Sequence, residues 1–179
     1  MTAGHVLLAL SLACADVRPS ILALGAAQVV IDRIMAVVGG QPIMLSDVEL
    51  SLQFQLVDVP QGDPDALASA LNRLIERTLI LAEVDRFQPP EPDPIEITIR
   101  VDDMQRRAGS AAAFDKALAV TGTSREQLRR YIRDDLRITT YLNQRFVAVA
   151  DPNQRKTAIA AWVAELKRRA DISVLYRSP

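Results

Sequence analysis

The chain has 179 residues, a formal net charge of −1 and charges of both signs interspersed along it. That length holds one domain, with or without an export segment, and the near-neutral balance leaves no basic face that would make nucleic acid the main partner. The single histidine and the single cysteine, His5 and Cys14, both fall at the extreme N-terminus; once that region is removed, histidine acid–base catalysis, cysteine nucleophiles and Cys/His zinc sites are excluded.

In chain order, Val6 to Ala15 is an uncharged apolar run of signal-peptide length. It ends in the small-residue cleavage pattern Ala13-Cys14-Ala15, and a second follows at Gly25-Ala26-Ala27. It is too short to span a bilayer and lacks a positive flank. In order of preference, residues 1–27 read as a cleaved export signal, a buried helix or a lipid anchor. An exported chain without the cysteine is unaffected by an oxidising compartment.

Ile31 to Val38 is rich in Ile, Val and Met, and Gly39-Gly40 supplies the positive-φ turn of a β-hairpin. Pro42 has no N–H, so the return strand Gln41–Leu45 is expected to turn that position away from the ladder. Ser46 and Glu49 have capping-box spacing, with Asp47 favourable in a first turn. Val48, Leu50, Leu52, Phe54 and Leu56 alternate like a strand. As a helix the segment has two apolar stripes, Val48/Leu52/Leu56 and Leu50/Phe54/Val57. Either its own domain covers both, or one faces a groove for clients or a second subunit.

Asp63 with Pro64 reads as cap and first position of a helix reaching about Val84, with Leu67, Leu71, Leu74, Ile75, Thr78, Leu81 and Ala82 inward. Glu76 and Arg77 read as solvated charges. Prolines 89, 90, 92 and 94 make a stiff connector. Ile97 to Ala108 reads as a helix burying Ile97, Val101 and Met104, and Ala111 to Val120 as another with Phe114, Ala117, Leu118 and Thr121 in register. Ser124 and Gln127 form a second capping-box spacing ahead of a long helix. Its Arg129, Arg130, Arg133, Arg137 and Arg145 read as a solvated face. A last helix over Gln154 to Ala170 carries Ile159, Trp162, Val163 and Leu166 at i, i+3, i+4, i+7, with Trp162 as core anchor. Ile172 to Tyr176 reads as a strand. No glycine-rich phosphate loop or ligand cluster is present, so no cofactor is expected.

Three segments carry a family resemblance: DRIxAVVxxxxIxLSDV from Asp32, LNRLIERTLILAE from Leu71, and FDKALAxxGxSxEQLRRYIRDDLRIxxYLNQRF from Phe114. Together they resemble the N-terminal domain of SurA-type periplasmic chaperones. The likeness runs from about Val29 to Tyr176, and the parvulin-type prolyl isomerase modules that such proteins insert near Phe146 to Asn153 are left out. The resemblance implies a mostly α domain of SurA/trigger-factor-like type, residues 28–179. Residues 147–179 return to place the last strand against the N-terminal hairpin. It further implies an ATP-independent periplasmic holdase for unfolded outer-membrane or secreted polypeptides, without catalysis and without a stable membrane span. Leu50, Phe54 and Val57 are the candidate client-binding residues. The alternatives are a homodimerising assembly or accessory subunit and, less favoured, a prolyl isomerase.

Overall fold

The computed structural model describes residues 32–177, so the export-segment reading at residues 1–27, with His5 and Cys14, lies outside the described residues. Strands β1 (Ile34–Val38) and β2 (Gln41–Met44) form the hairpin, followed by α1 (Leu45–Gln53), α2 (Ala66–Phe87), α3 (Pro94–Arg107), α4 (Ala111–Val120), α5 (Arg125–Arg145), α6 (Pro152–Arg169) and β3 (Ile172–Val174). The chain is thus mostly helical with one small antiparallel sheet of order β2-β1-β3. Gly39 and Gly40 have φ of 55° and 83°, the two-residue turn that fits strand twist. Val38 faces Gln41 across this turn and Val37 faces Pro42. In such a ladder the Val37–Pro42 pair is the non-hydrogen-bonded one, so the proline costs no ladder bond.

β3 pairs with β1 through Ala36–Val174, Val37–Ser173 and Val38–Ile172. It is shorter than the Ile172–Tyr176 expected, because the amides of Leu175 and Tyr176 both donate to the Met35 carbonyl, at 2.9 and 3.0 Å, and end the regular ladder.

Several helix starts differ from the sequence reading, each for a local reason. β2 runs into α1 without a loop, so Ser46 is already inside the first turn and does not cap it. The Asp47 carboxylate accepts the Met44 N–H at 2.9 Å, and the Ser46 hydroxyl donates to Asp32. At α2 the cap is Asp65, accepting from Ala68 N–H at 2.9 Å, and not Asp63. Asp63 instead accepts from the Asp65 amide and the Ser69 hydroxyl. α3 begins at Pro94 rather than Ile97, with Asp93 as cap, and α6 at Pro152 rather than Gln154, with Asp151 as cap. In both, proline occupies a first-turn position whose N–H would have no partner. The Ser124–Gln127 capping box of α5 forms as read.

Three apolar clusters hold these elements together. The sheet packs Met35, Ala36, Val38 and Ile43 onto Val48 of α1 and Ala70, Leu71, Leu74 and Ile75 of α2, with Leu166 of α6. A second cluster joins Leu50 of α1 to Ile97, Val101 and Met104 of α3, Phe114 and Leu118 of α4, and Leu128, Ile132 and Leu136 of α5. A third joins Ile80 and Val84 of α2, Ile138 and Tyr141 of α5 and Val163 of α6. Among the described residues no helix is long and apolar enough to cross a membrane.

Candidate functional site

The alternating run at Val48–Leu56 resolves as helix, because α1 is the wall between two cores. Val48 and Leu52 pack into the sheet cluster, while Leu50 and Phe54 pack into the α3–α4–α5 cluster. A helix turns about 100° per residue, so positions two apart fall on nearly opposite sides. The period-2 pattern is therefore what two-sided burial of a helix requires. The helix ends at Gln53, short of Val57: Gln55 has φ 52°, and the Leu56 amide reaches back to the Ser51 carbonyl at 2.8 Å.

The three candidate residues do not converge on one groove. Leu50 is buried at 4% exposure, whereas Phe54 and Val57 are half-buried. Phe54 meets Phe114 edge-on, with ring centroids 5.5 Å apart, and lines a cavity of about 350 Å³. Met104, Ala108 and Ala117 complete the apolar side of that cavity, and Gln53, Gln55 and Arg107 its polar side. Leu50 lines a second cavity of about 220 Å³ and Val57 a third of about 210 Å³.

Between those last two lies a pair that the sequence reading missed. Arg77, expected to be solvated, is half-buried; its guanidinium lies 3.8 Å from the centre of the Tyr131 ring and donates to the Tyr131 carbonyl at 2.8 Å. Both residues line both cavities. The Arg77 Nε and the Tyr131 hydroxyl are buried without a hydrogen-bond partner. Burial, reinforced by Asp135 and Asp47 and opposed by Arg77, pushes the Tyr131 phenol up to about 12, so it remains a donor at any physiological pH. Desolvation also raises the Asp135 carboxyl against the pull of Arg77 and Arg100. It raises Asp47 too, against the bond from Met44, even though that residue keeps an exposed side. A signal was available in the sequence: Arg77 sits three residues from both Leu74 and Ile80, inside the buried stripe of α2. Its neighbour Glu76, also expected to be solvated, is likewise half-buried, bridging Arg73 at 3.2 Å and Lys167 at 3.4 Å.

Comparison with models of known protein families and with curated proteins finds no match. The chemistry of these surfaces carries the functional reading.

Arg137, also expected on a solvated face, is 9% exposed and ion-paired to Asp85 at 2.9 Å, Glu91 at 3.5 Å and Asp134 at 3.7 Å. It fastens the proline connector to α5, and Arg125, Arg130 and Arg133 are likewise occupied by Asp115, Glu126 and Asp134. At the far end of α5, Tyr141 contacts Phe87 and Trp162 at centroid distances of 5.4 and 6.0 Å, and Phe146 contacts Trp162 at 5.9 Å. Arg145 lies 4.7 Å over the Trp162 ring. Trp162 is half-buried there, an anchor between helices with one side still wet. Among the described residues no three His, Cys, Asp or Glu side chains gather as a metal site. What the surface offers is apolar contact and hydrogen-bond donors in open clefts, an arrangement suited to binding.

Proposed function

We propose that this chain is an ATP-independent periplasmic holdase of the SurA type, which shields extended segments of unfolded outer-membrane or secreted proteins and performs no chemistry on them. The observation that carries the reading is Phe54. Its ring is half-exposed at a cavity of about 350 Å³, edge-on to a fully buried Phe114. An incoming aromatic side chain would extend that edge-to-face stack, worth about 1 kcal/mol beyond its buried area. Met104 gives the wall a flexible, polarisable side chain that adapts to unlike clients. Leu50, buried at 4% exposure, packs in the same apolar cluster as Phe54 and supports it there.

The test is light scattering of an unfolded outer-membrane protein diluted into buffer with the purified chain. Wild type is expected to suppress aggregation, and Phe54→Asp, assayed well below its thermal midpoint and with its helical dichroism intact, to lose that effect. Equal suppression by both proteins would move the site elsewhere; absence of suppression in both would end the chaperone reading.

A dimerising accessory subunit is the second reading, favoured by the exposed Phe87 (59%) and Val147 (72%) near the aromatic cluster of α5 and α6. A mass that doubles at low micromolar concentration and reverts in Phe87→Ser would support it; a concentration-independent monomer mass would remove it.

A further inference from the structure

We propose that the free edge of strand β3 binds an extended, strand-forming segment of a client polypeptide by strand addition, through the backbone N–H and C=O groups of Ile172 and Val174. This rests on the holdase reading and gives it a second, sequence-tolerant contact at a place separate from the Phe54 cavity.

The ladder fixes which backbone groups face outward. The Gly39 amide donates to the Asp171 carbonyl and the Leu175 amide to the Met35 carbonyl, both at 2.9 Å, and Val37 lies opposite Ser173. Residues 171, 173 and 175 therefore turn their polar groups toward β1. Bonded and non-bonded pairs alternate in an antiparallel ladder, so Ile172 and Val174 turn theirs away. Neither of those two amides has an acceptor among the described residues.

The opposite edge of the sheet is closed. By the same alternation Pro42 and Met44 of β2 face outward. Pro42 has no N–H, and the Met44 N–H is held by the Asp47 carboxylate at 2.9 Å. β3 carries neither device. Its Val174 shares a face with the buried Ala36 yet is 53% exposed, and Leu175, on the other face, is 55% exposed. An added strand would thus find apolar contact on both faces.

The size of the edge selects its occupant. Two copies of this chain joined through strands of three residues would bury far less than the roughly 1,000 Å² that a lasting interface needs. A client segment needs no lasting interface. Backbone bonding accepts any side chain, and the alternating apolar and polar residues of a barrel strand would set an apolar one beside Val174. Four backbone bonds at most give an affinity of about 0.1–1 mM, weak enough for rapid release.

The probe is a capped peptide alternating valine and threonine with a lysine at each end, titrated into the full chain and followed by amide NMR. The Ile172 and Val174 amides are expected to shift and to exchange with water at least about fivefold more slowly near saturation. A counterpart methylated at every backbone nitrogen keeps the side chains, loses the donors and is expected not to bind. Val174→Pro repeats on β3 the device that Pro42 supplies on β2; it is expected to fold and to lose the peptide, and the methylated peptide tests the same contact without altering the protein. Equal binding of the two peptides, or binding that leaves Ile172 and Val174 unshifted, would overturn the proposal. So would slow exchange of those amides in the free protein, which would place a second copy on the edge if it grows with protein concentration and the chain's own N-terminal residues there if it does not. If the peptide fails to bind a protein that suppresses aggregation, the edge falls and the holdase stands; if suppression is absent as well, both fall.

Discussion

Arg137 offers a stability experiment in which two substitutions separate packing from charge. The residue is 9% exposed, but its partners Asp85 and Glu91 keep 59% and 66% of their side chains in solvent, and only Asp134, at 19%, is largely covered. Alanine deletes two buried methylenes, about 1.5 kcal/mol. It also deprives Asp134 of one arginine, although Arg133 still holds that carboxylate at 2.8 Å. The total is expected to be about 2–3 kcal/mol. Methionine keeps the stem and removes the charge. It forfeits pairs with mostly exposed carboxylates, each worth less than about 1 kcal/mol. In return it removes a buried Nε that lacks a hydrogen bond, its 3.5 Å approach to Glu91 being an ion pair without bond geometry. Arg137→Met is therefore expected to stay within about 1 kcal/mol of wild type. Urea unfolding followed by far-ultraviolet dichroism measures both. An equal, large loss in the two variants would refute the reasoning, because the charge rather than the stem would then hold the connector.

Other outcomes follow from the same geometry. The Asp135 carboxyl is raised from 3.8 by burial, so its ionised form disfavours the folded state. Asp135→Asn is expected to stabilise the protein at neutral pH, with a gain over wild type that shrinks as pH falls through the raised value and vanishes below 3.8; a gain that grows on acidification in matched urea titrations would contradict this. Gly40→Ala places a side chain at φ 83°, with an expected loss of about 1 kcal/mol at the hairpin turn and open space around the new methyl. Trp162, the only tryptophan, packs where α5 and α6 meet. Its emission is expected to shift to the red in step with the loss of dichroism, and an earlier shift would mean that α6 detaches first.

The parts of the fold legible in the sequence are those governed by neighbours along the chain. The Gly39-Gly40 turn, the Ser124–Gln127 box, the Ile97/Val101/Met104 stripe and the break at Gly109-Ser110 all appear where local chemistry puts them. The pairing of the last strand with the hairpin was expected only through the family resemblance, since nothing in ISV names its partner. Side chains whose environment is set by distant helices were misread. Arg77 and Arg137 look like any surface arginine until α2, α5 and the proline connector come together around them. The Ser46 and Asp63 caps were displaced by carboxylates one or two residues on, Asp47 and Asp65, because each flanking segment enters its helix at a different residue than spacing suggested. For the candidate site, Phe54 was found by its apolar stripe. That stripe also carried Leu50 and Val57, which the end of α1 and the packing of its two sides send to separate cavities.

The most direct test of the central claim is photocrosslinking from position 54. A benzophenone side chain replacing Phe54 would be irradiated with an unfolded outer-membrane barrel protein, with the exposed Arg86 on α2 as the control position. A client adduct from position 54 and none from position 86 is the expected result. A folded variant that yields no adduct from position 54, in a protein that still suppresses aggregation, would contradict the account.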